Sequence, residues 1–139
     1  MTPITALRQA ILDKLGNHTF LFSAAYRVAG RKKELLVTAD TDIVIEGFPR
    51  SGNTFAVVAF RQAQSNPGGL AIAHHLHVPA QIGLAVRYGI PAMVLVRQPD
   101  AAIPSLVVRE SQVSIDRALK KYIDFHRVVS ARRNKLLIV

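Results

Sequence analysis

The chain has no cysteine among its 139 residues. Disulfides, thiolate metal sites and thiol catalysis are excluded together. No apolar run approaches the length needed to cross a bilayer. The N-terminus lacks the apolar core of a secretory signal and begins like an ordinary helix, so a cytoplasmic location with no membrane span is expected. Repeats, low-complexity tracts and linkers are also missing. Acidic residues are scarce: 9 Asp+Glu face 18 Lys+Arg, a net charge of +9. That excess suits a polyanionic partner. Yet no block of five basic residues occurs, and no aromatics interleave with them. The charge therefore reads as a solvated basic surface, with no specific nucleic acid expected.

What is present is half hydrophobic by count, enough for one domain with a real core. Residues 1–139 are expected to form that single domain. The informative stretch runs from Asp42 to Gln64. Ile43 to Ile45 is a β-branched run, the mark of a buried strand. Gly47, Pro49 and Gly52 break it into a tight loop, and a helical pattern starts near Thr54. Strand, glycine loop and helix in that order present backbone N–H groups and a helix N-terminus to an anion. Gly47, Gly52 and Thr54 keep the spacing of the nucleoside-triphosphate loop GxxxxGK[ST]. The lysine position is Asn53, however, and the loop's cation is Arg50.

Around this centre the elements alternate. Thr2-Pro3 starts a helix that Gly16 ends, with Ile4, Leu7, Ile11 and Leu15 at helical spacing. The segment from His18 to Leu36 is mixed. Ser65 to Gly69 closes the helix after the loop. Leu70–His74 and Ala92–Val96 are strand candidates, and Pro79–Tyr88 is helical up to Gly89. Pro99 opens a helix to about Glu110 that tolerates Pro104. Ser114 caps a helix to about Arg133, with Ile115, Leu119, Tyr122, Ile123 and Val129 on one face. Leu136–Val139 is a fourth strand, and the chain stops there; an exposed strand of this kind leaves homo-oligomerisation open. The expected fold class is α/β, a three-layer α/β/α arrangement with a central parallel sheet, P-loop nucleotide-binding-like.

Such a sheet places its site at the carboxyl ends of its strands. Three strands deliver groups there: the Gly47–Thr54 loop, then His74, His75 and His77, then Arg97. A magnesium-dependent hydrolase would put an aspartate where Arg97 stands. With no loop lysine and no strand-end carboxylate, metal-assisted phosphoryl transfer is disfavoured, and no metal is expected. Two arginines and a glycine loop suit a ligand with two separated anionic groups. The histidines are weighed against a metal cluster: on a strand, His75 and His77 would share a face and His74 would face away. Helix-start geometry after Pro99 would bring the Ser105 hydroxyl toward the phosphate that Arg97 holds. Phe55 suits core packing as well as a site role, and Tyr26, Tyr122 and Phe125 are assigned to the core.

From Asp42 onward the chain resembles the sulfotransferases that use 3′-phosphoadenosine 5′-phosphosulfate. Their 5′-phosphosulfate loop is similar to Pro49-Arg50-Ser51-Gly52-Asn53-Thr54. Their 3′-phosphate motif, a strand-end arginine with a serine eight residues on, is matched by Arg97 and Ser105. His75-Leu76 resembles their catalytic His-Leu pair. The resemblance implies His75 as base and Arg50 as the cation that stabilises the leaving phosphate. It implies Arg50, Ser51, Gly52, Asn53, Thr54, Phe55, Arg97 and Ser105 as the donor-binding set, with Phe55 stacked on adenine. The donor would be 3′-phosphoadenosine 5′-phosphosulfate and the partner a small-molecule or carbohydrate acceptor. Asn53 departs from the family's threonine or serine, and Arg50 from the lysine of its cytosolic branch. The family's C-terminal basic segment has no counterpart in this chain. That loss favours the alternative: a non-catalytic binding module for adenosine bisphosphate or another phosphorylated ligand.

Overall fold

The computed structural model describes residues 35–139. The expected helix over Thr2–Gly16 and nearly all of the mixed segment after it lie outside these residues. Among the described residues the protein is α/β: four parallel strands and four α-helices. The strands are β1 (Ile43–Gly47), β2 (Ile72–His74), β3 (Ala92–Leu95) and β4 (Leu137–Ile138). The helices are α1 (Asn53–Gln62), α2 (Pro79–Tyr88), α3 (Pro99–Arg109) and α4 (Ile115–Ser130). The sheet order is β2-β1-β3-β4, so the strand feeding the glycine loop is central. Register puts Ile45 opposite His74 on one side, and Gly47 opposite Leu95 on the other. Asp42 sets the β1–β2 start: its Oδ2 accepts from the Ala71 amide at 2.8 Å, and its own amide donates to Ala71 O at 2.9 Å.

Strand side chains alternate between faces, and two cores follow. Val44, Ala73, Ala92 and Val94 pack with Ile82, Leu84, Leu106, Ala118, Phe125 and Val129 of α2, α3 and α4. Ile45 and Ile72, with half-buried Ile43, Met93 and Leu95, pack against Val57, Ala56 and Phe60 of α1. Helices thus cover both faces, consistent with a three-layer α/β/α fold. Buried Gln81 of α2 ties in the segment before β1: its Oε1 accepts from the Val37 amide, and its Nε2 donates to Leu35 O.

Local chemistry explains the element ends. Gly89 takes φ +69° as the C-cap of α2, which is costly for any side chain. Ser114 caps α4, its hydroxyl accepting from the Arg117 amide. Helix α3 runs through Pro104 as expected. The expected face of α4 is corrected. Ala118, Phe125 and Val129 are buried and Tyr122 partly so, while Ile115, Leu119 and Ile123 are exposed. The contacting stripe is rotated by about one residue from the one that counting large aliphatics suggested, because small Ala118 admits close packing. No described helix is long and apolar enough to cross a membrane.

Candidate functional site

The glycine loop leaves β1 at Gly47 and enters α1 through Gly52, whose φ of +89° is left-handed. Arg50 is also left-handed, at φ +71°, a conformation that costs a side-chain-bearing residue roughly 1 kcal/mol or more. Asn53 is buried, and its Nδ2 donates to Phe48 O at 3.2 Å. Its side chain therefore braces the loop, and what it offers a ligand is the backbone N–H of the first helical turn. The Ser51 hydroxyl oxygen is enclosed and has no hydrogen-bond partner among the described residues.

The two arginines and the serine come together. Arg97 Nη1 donates to Arg50 O at 2.8 Å, and Arg50 Nε donates to Ser105 Oγ at 3.0 Å. Ser105 is thus turned toward the loop rather than bonded into its own helix. The sequence suggested cations on separated phosphates; here the loop cation, the β3 cation and the α3 hydroxyl adjoin. Arg97 has a further support. Tyr122 Oη donates to Arg97 O at 2.8 Å, while its ring meets Phe48 edge-on and stacks on His126 at 3.9 Å. Tyr122 therefore belongs to the site's scaffold as well as to packing; Phe125 is core as expected. Phe55 is 79% exposed, which removes core packing as its role.

Strand β2 ends at His74, as expected, but the strand-like alternation expected of the three histidines is corrected: both His75 (φ +60°) and His77 (φ +54°) are left-handed. His74 does not face away: its Nδ1 meets His75 Nδ1, with the rings edge-on. Across the ring, His75 Nε2 lies 2.9 Å from Thr54 Oγ1. The β2–α2 turn and the glycine loop therefore touch through one imidazole and one hydroxyl. Arg50, His75 and His77 are the three non-glycine residues with positive φ among those described, and all follow the carboxyl ends of strands. Strain of this kind concentrates at functional sites.

Glu46 escaped the sequence reading. It is fully buried on β1, accepting from the Leu76 amide at Oε1 (2.8 Å) and the His77 amide at Oε2 (3.2 Å). His77 Nδ1 donates to Gly47 O at 2.9 Å and lies 3.5 Å from Glu46 Oε2. The available signal was a lone carboxylate inside an apolar strand, where charge is tolerated only with partners.

Burial alone would pull the His77 pKa down, but the hydrogen bond and charge of Glu46 outweigh it and hold the imidazole above its ordinary 6.5. His126 goes the other way: burial pushes it below 6.5 against the pull of its bond to Tyr122 O. The signs oppose. Between pH 6.5 and the raised His77 value, the folded chain binds more protons than the unfolded one, so His77 costs stability as pH rises. His126 costs stability as pH falls from 6.5 through its lowered value. Urea midpoints across pH should show the alkaline decline lessened in His77→Gln and the acid decline lessened in His126→Gln.

No family model, curated protein or solved structure matches this chain.

Proposed function

We propose that this chain is a sulfotransferase that moves a sulfuryl group from 3′-phosphoadenosine 5′-phosphosulfate to an acceptor hydroxyl or amine. The observation that carries the reading is the joining of Arg50, Ser105 and Arg97 beside the Thr54–His75 contact, at the carboxyl ends of β1, β2 and β3. The donor set suits an anion held without a metal: two fixed cations, two hydroxyls and the unpaired amides of a helix start. The same pieces support a P-loop-like role for the glycine loop.

The donor supplies an activated sulfur whose bond to the bridging phosphate oxygen breaks as the acceptor's bond forms. Arg50 and the amides of Gly52 to Thr54 stabilise the charge that grows on that oxygen, the Ser51 amide being turned to Phe48 O at 3.2 Å. An arginine is a fixed cation and stabilises without giving up a proton. His75 takes the acceptor's proton at Nε2, the atom now facing Thr54. Arg97 and Ser105 hold the second phosphate, and exposed Phe55 at the mouth of α1 is free to stack on a base.

Calorimetric titration with adenosine 3′,5′-bisphosphate is the first test. Binding is expected, with magnesium ATP binding far more weakly; magnesium-dependent ATP turnover would overturn the reading. Arg97→Ala should weaken the bisphosphate by about 2 kcal/mol, the order of a lost charged hydrogen-bond partner, or roughly thirtyfold in Kd. A labelled-sulfate assay over a panel of acceptors then separates transfer from binding without catalysis.

A further inference from the structure

We propose that Glu46 is a positioning residue for His75: its buried carboxylate clamps the left-handed turn that sets the imidazole against Thr54. The inference rests on the reading of His75 as base, and its geometry is independent of the phosphate motifs.

Between the end of β2 at His74 and the start of α2 at Pro79, the chain places two side-chain-bearing residues in the left-handed region within three positions. Such strain persists only where the surroundings over-determine it. The Leu76 and His77 amides belong to neither strand nor helix and would otherwise need water. Both go to one carboxylate, Oε1 taking Leu76 and Oε2 taking His77. The His77 ring adds a third tie, through Nδ1 to Gly47 O. Glu46 and Gly47 are the last two residues of β1, so the histidine turn is fastened to the strand that launches the glycine loop. His75 sits one residue before the clamped amides, and its Nε2 meets Thr54 on the other side of that loop. Glu46 is 0% exposed, so water does not compete for its oxygens. A glutamine keeps the shape but offers one acceptor oxygen, and its amide hydrogens face one of the two backbone donors.

The test uses the full chain labelled with nitrogen-15 at histidine, unaltered and as Glu46→Gln, with Thr54→Val as the spectral reference for an imidazole that has lost its contact. Glu46→Gln is expected to move the His75 ring resonances toward those in Thr54→Val. It should leave the Kd for adenosine 3′,5′-bisphosphate within about twofold. Sulfuryl transfer should fall by about a hundredfold, the order expected when a reacting group is displaced by an ångström. His75 resonances unchanged in Glu46→Gln would overturn the clamp. If that variant does not fold, amide exchange in the unaltered chain decides. Leu76 and His77 should exchange as slowly as the amides of β1, and exchange as fast as exposed Gly68 would overturn the proposal. Absence of transfer by the unaltered chain counts against the sulfotransferase reading alone, because the clamp is read from resonances and exchange.

Discussion

His75→Ala is expected to lower sulfuryl transfer by about 10²–10⁴-fold, the usual contribution of a positioned general base. The bisphosphate Kd should change little. The expectation follows from where the imidazole stands. It touches Thr54 Oγ1, His74 and the ring of His77, whereas the Arg50–Ser105 and Arg97–Arg50 bonds do not pass through it. Removing the ring therefore takes away the proton acceptor and leaves the cations in place. Histidine is the side chain whose charge changes near neutral pH, so the acid limb of the kcat profile should vanish with it. Steady-state transfer from labelled donor across pH 5.5–8.5 measures both effects. Unaltered turnover in His75→Ala would remove the base from the mechanism, and an equal loss of bisphosphate affinity would make His75 a binding group.

The sequence carried most of the sheet because β-branched runs between breakers leave few alternatives. Ile43–Ile45, the breakers from Ser65 to Gly69, and Pro79 with Gly89 each mark an end that the structure places within two residues. That Arg50, Arg97 and Ser105 share one edge was also legible, since strand ends and one helix start converge there in a parallel sheet, but their direct joining was not. Backbone sign and buried partners were not legible. Nothing in His74-His75-Leu76-His77 marks a left-handed turn, because histidine is no glycine and the cause lies 30 residues upstream in Glu46. The strand's end at His74 was legible, but reading His75 and His77 as still alternating on a strand put His74 on the wrong side. Tyr122 illustrates the same limit. Its helical phase placed it against the core, but only the tertiary packing brings its hydroxyl to Arg97 O.

Gly47→Ala should cost about 3 kcal/mol of stability, the upper end of what overpacking in a tight interior costs. Gly47 pairs with Leu95 across the β1–β3 ladder. A Cβ there would stand 2.7 Å from Leu95 O, 2.9 Å from Asn53 Oδ1 and 3.1 Å from Leu95 Cβ. The first contact is with backbone, so relief means parting the central strand from β3. The second is with a buried side chain that holds Phe48 O, so relief means shifting the start of α1. The requirement is closeness of approach, since Gly47 is not among the glycines with positive φ. Either relief deforms the loop between Phe48 and Asn53 that carries Arg50, and bisphosphate binding should weaken with stability. For a chain of this size the melting temperature should drop by roughly 10 °C. Gly68→Ala is the control: a Cβ there meets nothing within 4 Å, and the change should stay within about 0.5 kcal/mol. A Gly47→Ala chain that melts with the unaltered protein would mean that β1 and β3 are not packed this closely. The loop would then lose the rigid footing that holds Arg50 against Ser105.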